Sequence, residues 1–208
     1  GYHFEIRKHL VDYDDVINTH RDVIYKLRQR IVRQESVRDT VMEMAEKAVR
    51  GLITDKLVGA PDAWDVEAFQ QELRNILPVL PLEMQQPNQV AEYELDEIEE
   101  LLVDEVKRVH EQRVEEFGDE MMAVIERHVL LRHIDSHWVN HLTAVENMRQ
   151  GIGLQAIGQR DPLVQYKRTA YEMFGELMAN IEHDVSHTIY RVAPAQNMGA
   201  AANQSVAA

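Results

Sequence analysis

Cysteine is absent from the 208-residue chain. That absence excludes disulfide frameworks, thiolate zinc sites and thiol nucleophiles together. Glycine and proline are sparse, at nine and six residues, well below the average share of roughly 12%. They also cluster, which leaves long stretches free of helix breakers. Aromatics make up only 6%, too few to fill a many-stranded sandwich or barrel. The longest unbroken apolar run, Met121–Ile125, is far short of the ~20 residues of a membrane span. No signal-like apolar stretch follows Gly1. What is present is 45% hydrophobic and 28% charged residues, enough for a core and a solvated surface. The composition predicts a soluble, mostly helical chain.

The net charge is −14, from 22 basic and 36 acidic residues. Such a field repels phosphate backbones, so no nucleic-acid partner is expected. Charge is unevenly placed. Every charge from Glu92 to Glu105 is negative, whereas Arg21, Lys26, Arg28, Arg30, Arg33 and Arg38 outnumber Asp22 and Glu35. Both runs read as solvated helix faces and name no partner by themselves.

Hydrophobic spacing organises the chain. Leu10, Ile17, Ile24 and Ile31 recur every seven residues, with Tyr13 and Leu27 in the second seam position. This stripe predicts a long helix over 4–35 lying along a partner helix. A fresh amphipathic pattern begins after Ser36, which either caps it or sits in a bend. Gly59, Ala60 and Pro61 punctuate the chain before a short helix with Val66, Phe69, Leu73, Ile76 and Leu77 on one side. Pro78, Pro81 and Pro87 predict an extended connection. Helix resumes with Leu95, Ile98, Leu102, Val106 and Val109 inward and ends at Gly118. Two long antiparallel helices follow. The first, 119–149, would measure roughly 46 Å and carries Met122, Ile125, Val129, Ile134, Trp138, Leu142, Val145 and Met148. The glycine-rich run 151–158 is expected to break it. Asp161 is a suitable N-cap and Pro162 a suitable first-turn residue for the second, which runs to about Val192. The fold class is all-α: an elongated long-helix scaffold, an antiparallel two-helix hairpin and a small helical subdomain. The small-residue stretch after Pro194 should be mobile.

Chemistry-bearing motifs are few. His133, His137 and His141 stand four apart, which places three imidazoles along one helix face, a spacing that can hold zinc or nickel. HExxH and Glu-x-x-His are both absent, and packing or partner contacts are the expected roles, with no metal. His183 and His187 share the spacing and the reading. No glycine precedes a lysine, so there is no phosphate loop, and no Gly-x-Ser-x-Gly elbow occurs. Catalysis by this chain alone is not expected. Trp138 lies on the apolar stripe and should pack against the first helix. At the hairpin tip, Leu154 and Ile157, with Gln155, Ala156 and Gly158, have no core to serve, so a contact role is expected. Arg149, Arg160, Lys167 and Arg168 form a basic collar opposed only by Asp161.

The stretch His133-Ile-Asp-Ser-His-Trp138-Val-Asn-His-Leu142, then Met148-Arg-Gln-Gly-Ile-Gly-Leu154 and Gln159-Arg-Asp-Pro162, closely resembles the SecA family of bacterial preprotein translocase motors. Ile6-Arg-Lys-His-Leu10, Tyr13-Asp-Asp-Val16, Arg21, Ile24-Tyr25, Tyr166-Lys-Arg168 and Met173-Phe174 extend the resemblance in order across both ends of the chain. The middle third matches in helical character and position. The resemblance implies a helical scaffold at 1–49, a helical wing at 50–118, the returning scaffold and two-helix finger at 119–192, and a linker or tail at 193–208. It implies a C-terminal fragment that lacks the family's motor, so ATP and Mg belong to the longer parent and the fragment itself has no cofactor. The implied partners are the SecYEG channel, preproteins and the motor domain in cis. The implied location is cytoplasmic, peripheral at the inner face of the bacterial membrane through the channel. A homodimer through exposed heptad seams is a further candidate. Arg21 occupies the position through which the family's scaffold helix touches the motor, and its several donors suit such coupling. Many family members carry an aromatic at the finger tip; Ile157 keeps an apolar contact there but loses stacking. The alternatives from other classes are a standalone helical adaptor and a His-rich metal-binding bundle.

Overall fold

A computed structural model describes residues 2–34, 36–155 and 162–192, with side chains described for 13–34, 36–152 and 162–192. The described residues are almost wholly helical and contain no strand. Helix α1 spans Tyr2–Arg33, α2 Arg38–Lys56, α3 Val66–Ile76, α4 Pro87–Val90, α5 Leu95–Phe117, α6 Asp119–Gln155 and α7 Pro162–Thr188.

The seven-residue stripe of α1 finds its partner within the chain. Ile24 and Ile31 are fully buried against α6 and α7, while Tyr13, Ile17 and Leu27 are partly buried on the same seam. The C-terminus of α1 leaves orphan carbonyls, and Arg127 of α6 answers them, donating to Ile31 O at 3.4 Å and Gln34 O at 2.7 Å. Arg191 does the same for α3, donating to Arg74 O at 2.6 Å. Ser36 sits in the bend between α1 and α2, its Oγ accepting from the Arg38 N–H at 3.2 Å; the N-cap residue of α2 is Val37.

One contiguous apolar cluster joins α1, α2, α3, α5, α6 and α7, through Ile31, Val41, Val49, Phe69, Leu73, Ile98, Leu102, Leu130, Ile134 and Ile181 among others. The expected division between residues 49 and 50 falls within α2, whose Val49 and Ile53 share this cluster. Three ion pairs tie helices together on its outside: Arg28–Asp135 at 2.9 Å, Lys47–Glu182 at 2.6 Å and Arg50–Glu99 at 2.8 Å. Helix α5 starts with a reciprocal capping box between Glu94 and Glu97 and stops at Gly118, whose φ of +79° suits glycine. Its inner stripe is Ile98, Leu102, Val106 and Val109; Leu95, expected inside, is exposed in the first turn.

Two further expectations are corrected. The proline-rich connection is not extended: Pro81 leads into the 3₁₀ turn Leu82–Met84 and Pro87 starts α4, positions where the missing N–H costs nothing. These turns deliver Leu80, Met84 and Val90 to the core. Helix α6 does not break at Gly151 but runs 37 residues, to Gln155, about 55 Å. Two glycines cost roughly 1 kcal/mol each in a helix interior, and burial of Ile152 against α7 offsets much of that. Trp138 is half-buried, packed against the main cluster, and its ring stacks on His141 at 5.6 Å.

Candidate functional site

The hairpin stem carries most of the residues singled out from the sequence. Near its far end a second, smaller apolar cluster forms from Val145 and Ile152 of α6 with Tyr166 and Ala170 of α7. Tyr13, Val16 and Ile17 of α1 close over it. Tyr13 meets Tyr166 edge-on at 4.5 Å, and the Tyr166 hydroxyl donates to Tyr13 O at 3.4 Å. The stem is therefore a three-helix assembly clamped at this end. The tip residues Ala156, Ile157 and Gly158, with Arg160 and Asp161, lie outside the described residues, as do the side chains of Leu154 and Gln155.

The collar is more neutralised than its spacing implied. Arg149 pairs with Glu146 at 3.1 Å and with Asp14 of α1 at 3.6 Å, and Arg168 pairs with Glu172 at 3.0 Å. Asp161 is thus not their sole opposing charge, because i, i+3 and i, i+4 carboxylates reach them along the helix. Lys167 is exposed. Arg21 is exposed too, its Nη1 donating to Asn18 Oδ1 at 3.0 Å, and it pairs with no carboxylate among the described residues. Tyr25 and Val32, both more than half exposed, continue its face at helical spacing. That stripe of cation and apolar side chains on α1 was not singled out from the sequence.

The histidine trio divides. Successive steps of four residues rotate about 40° around a helix, so His141 stands about 80° from His133. His133 and His137 turn toward Asp184 of α7, whereas His141 turns toward α1. There its Nε2 lies 3.1 Å from His20 Nδ1, and both rings are buried beside Phe174. Burial, with His141 as a second cause, pushes His20 down to about 4; burial lowers His141 as well. The pair is held neutral, one ring donating and the other accepting. His183 and His187 stack at 3.9 Å beside a groove of about 410 Å³ between α2, α3 and α7, which Lys47, Lys56, Glu72 and Glu182 also line. A further buried polar contact joins three segments: His110 Nε2 lies 3.1 Å from Glu126 Oε1, with Tyr190 edge-on to the imidazole. Burial, then Glu126, push the Tyr190 hydroxyl well above the usual phenol range.

His20, Asp184 and Glu126 escaped the sequence reading because their partners stand 121, 47 and 16 positions away. No local motif joins them. Asp184 did sit beside His183 within a polar run on the hairpin's second helix, the one signal that could have placed it opposite the first.

The sequence that forms this arrangement, a long helix clamped along a helical hairpin with a compact helical unit beside it, matches known protein sequences over nearly its full length. Residues 1–193 match the family described as the SecA Wing and Scaffold domain. The protein translocase subunit SecA of Roseiflexus sp. (strain RS-1) is 40% identical over 200 residues, covering 93% of this chain and 20% of that protein. The SecA subunit of Dehalococcoides mccartyi (strain ATCC BAA-2266 / KCTC 15142 / 195) is 39% identical over 193 residues, covering 92% of this chain and 20% of its own length. That of Carboxydothermus hydrogenoformans is 37% identical over 191 residues, covering 91% and 22%. The chain thus spans about a fifth of the length of these curated relatives. No helix among the described residues is long and apolar enough to cross a membrane. This chain belongs to the SecA wing and scaffold family of protein translocase subunits.

Proposed function

We propose that this chain is the mechanical part of a SecA-type translocase, which contacts preprotein and the SecYEG channel and couples to a motor domain that binds ATP and Mg elsewhere in the longer protein. In this reading α1, α2 and the end of α6 near Asp119 serve as scaffold, the α3–α5 region as wing, and the α6–α7 hairpin as finger. The observation that best supports it is the clamp of Tyr166, Val145 and Ile152 on Tyr13, Val16 and Ile17. A load applied at residues 156–161 passes through that clamp into α1. Arg21, exposed beside Tyr25, is then the cation through which α1 engages the motor. Ile157 supplies apolar contact to the moving chain, and Lys167 is an exposed cation of the collar. Attachment to the inner face of the cell membrane is peripheral, through the channel.

Ile157→Asp in a full-length protein carrying this segment tests the reading. Basal ATPase and Tm are expected to stay close to parental. Translocation into SecYEG vesicles is expected to fall about tenfold, the factor that about 1.4 kcal/mol of lost apolar contact produces. Translocation at the parental rate with aspartate at that position would remove the apolar tip contact from the account.

A further inference from the structure

Two histidines and a carboxylate converge across the stem in a way translocation does not require. His133 and His137 stand one turn apart on α6, and Asp184 faces them from α7. One ligand atom from each lies within 4.8 Å of the other two. Asp184 Oδ2 is 2.7 Å from His137 Nε2 and 3.7 Å from His133 Nδ1. Ligand atoms around a tetrahedral zinc ion stand roughly 3.3 Å apart, so both Asp184 distances lie within about half an ångström of what the ion needs.

The surroundings suit ligation. His133 Nε2 lies 3.1 Å from Thr188 Oγ1. When Nε2–H donates there, the Nδ1 lone pair is turned toward the carboxylate, and two acceptors face one another with room for a cation. Metal-bound imidazoles are commonly oriented by such a bond from their other nitrogen. His183 Nδ1 lies 3.1 Å from Asp184 Oδ1, which fixes the carboxylate and leaves Oδ2 for the metal. All three ligand residues are partly buried, close enough to the surface for an ion to enter. Two imidazoles and one carboxylate form a borderline donor set, which favours zinc, cobalt, nickel or copper over magnesium or calcium.

We propose that His133, His137 and Asp184 form a binding site for a divalent zinc-class cation that straps α6 to α7 in the hairpin stem. A fourth position stays open to water. The ion replaces the His137–Asp184 hydrogen bond by coordination and resists separation of the two helices below the finger. The site is independent of the translocation reading, since it concerns the stem of this chain alone.

Calorimetric titration of the chain with Zn²⁺ tests it, alongside Co²⁺ absorption as a probe of geometry. One equivalent should bind. Tm should rise by about 5 °C or more at a hundredfold excess over Kd, and Co²⁺ should give the intense visible bands of a four-coordinate site. His133→Gln and His137→Gln should each weaken binding about a hundredfold or more, with Tm in EDTA near parental, and Thr188→Val about tenfold. His183→Gln, which frees the Asp184 carboxylate, should weaken binding about tenfold, whereas His128→Gln, at an exposed histidine, should retain it within about threefold. Absence of one-to-one binding in the parent, octahedral Co²⁺ spectra, or binding that survives loss of His133 and His137 but not of His183 and His187 would each overturn the assignment.

Discussion

Tyr166→Ala is expected to destabilise the chain by about 3–5 kcal/mol, the range for emptying a fully buried aromatic site. The side chain is among the largest fully buried ones, at 1% exposure, and it joins α7 to Tyr13 of α1. Removing it opens a cavity between Val145, Ile152 and Ala170 and strips Tyr13 of its edge-on partner. The cluster is small, so few neighbours can collapse inward to fill the space. Tyr166→Phe separates packing from hydrogen bonding. The hydroxyl bond to Tyr13 O is long, at 3.4 Å, and its loss should cost no more than about 1 kcal/mol. Urea denaturation of both variants checks this, and a parental midpoint for Tyr166→Ala would show that the stem does not depend on this clamp. Native-state hydrogen exchange should further show α1 and the far end of α7 opening together in that variant.

The second large effect is on pH dependence. His20 in the folded chain is held at about 4 and His141 is also lowered, both by burial, whereas an unfolded imidazole titrates near 6.5. Between those values the unfolded chain binds more protons than the native one, so stability rises with pH. The contribution is complete above about pH 6.5 and is lost as pH falls toward 4. His133 and His187 are lowered by burial in the same sense, and Asp184 acts only in the carboxylate range. From pH 7.5 to pH 4.5 the His20–His141 pair should cost about 2–3 kcal/mol, at about 1.4 kcal/mol for each tenfold difference in proton affinity between the folded and unfolded chain. Chemical denaturation in EDTA at the two pH values measures the loss, and His20→Gln/His141→Gln should remove most of it. Equal pH slopes in parent and double variant would mean that the two rings are not held neutral.

Period-based features were legible because they are local. The α1 seam could be read from Ile24 and Ile31, the inner stripe of α5 from Ile98 through Val109, and that of α7 from Tyr166 through Val185. What misled was local chemistry read without its tertiary setting. Gly151 suggests a break, yet packing of Ile152 on Tyr166 and Ala170 offsets much of what the glycines cost the helix. Pro81 and Pro87 suggest extended chain, yet each stands where a short turn starts and loses no hydrogen bond. The histidine trio suggests one face, but a 40° drift per step sends His141 to His20 and leaves His133 and His137 for Asp184. Partners on other helices decide such cases, and their spacing along the chain carries no period. Trp138 shows the same limit: the stripe gives its direction, while the depth of burial depends on how α1 and α7 close around it.

In the proposed mechanism the hairpin transmits force from a motor to a moving polypeptide through its tip. Site-specific photo-crosslinking addresses this directly, with a photoreactive residue at position 157 of a full-length protein carrying this segment and a preprotein stalled in SecYEG vesicles. Force transmission through the tip predicts ATP-dependent crosslinks to the stalled chain and to the channel, at a yield that falls when Tyr166→Ala loosens the stem. Crosslinks confined to the protein's own helices, unchanged by ATP or by preprotein, would contradict it.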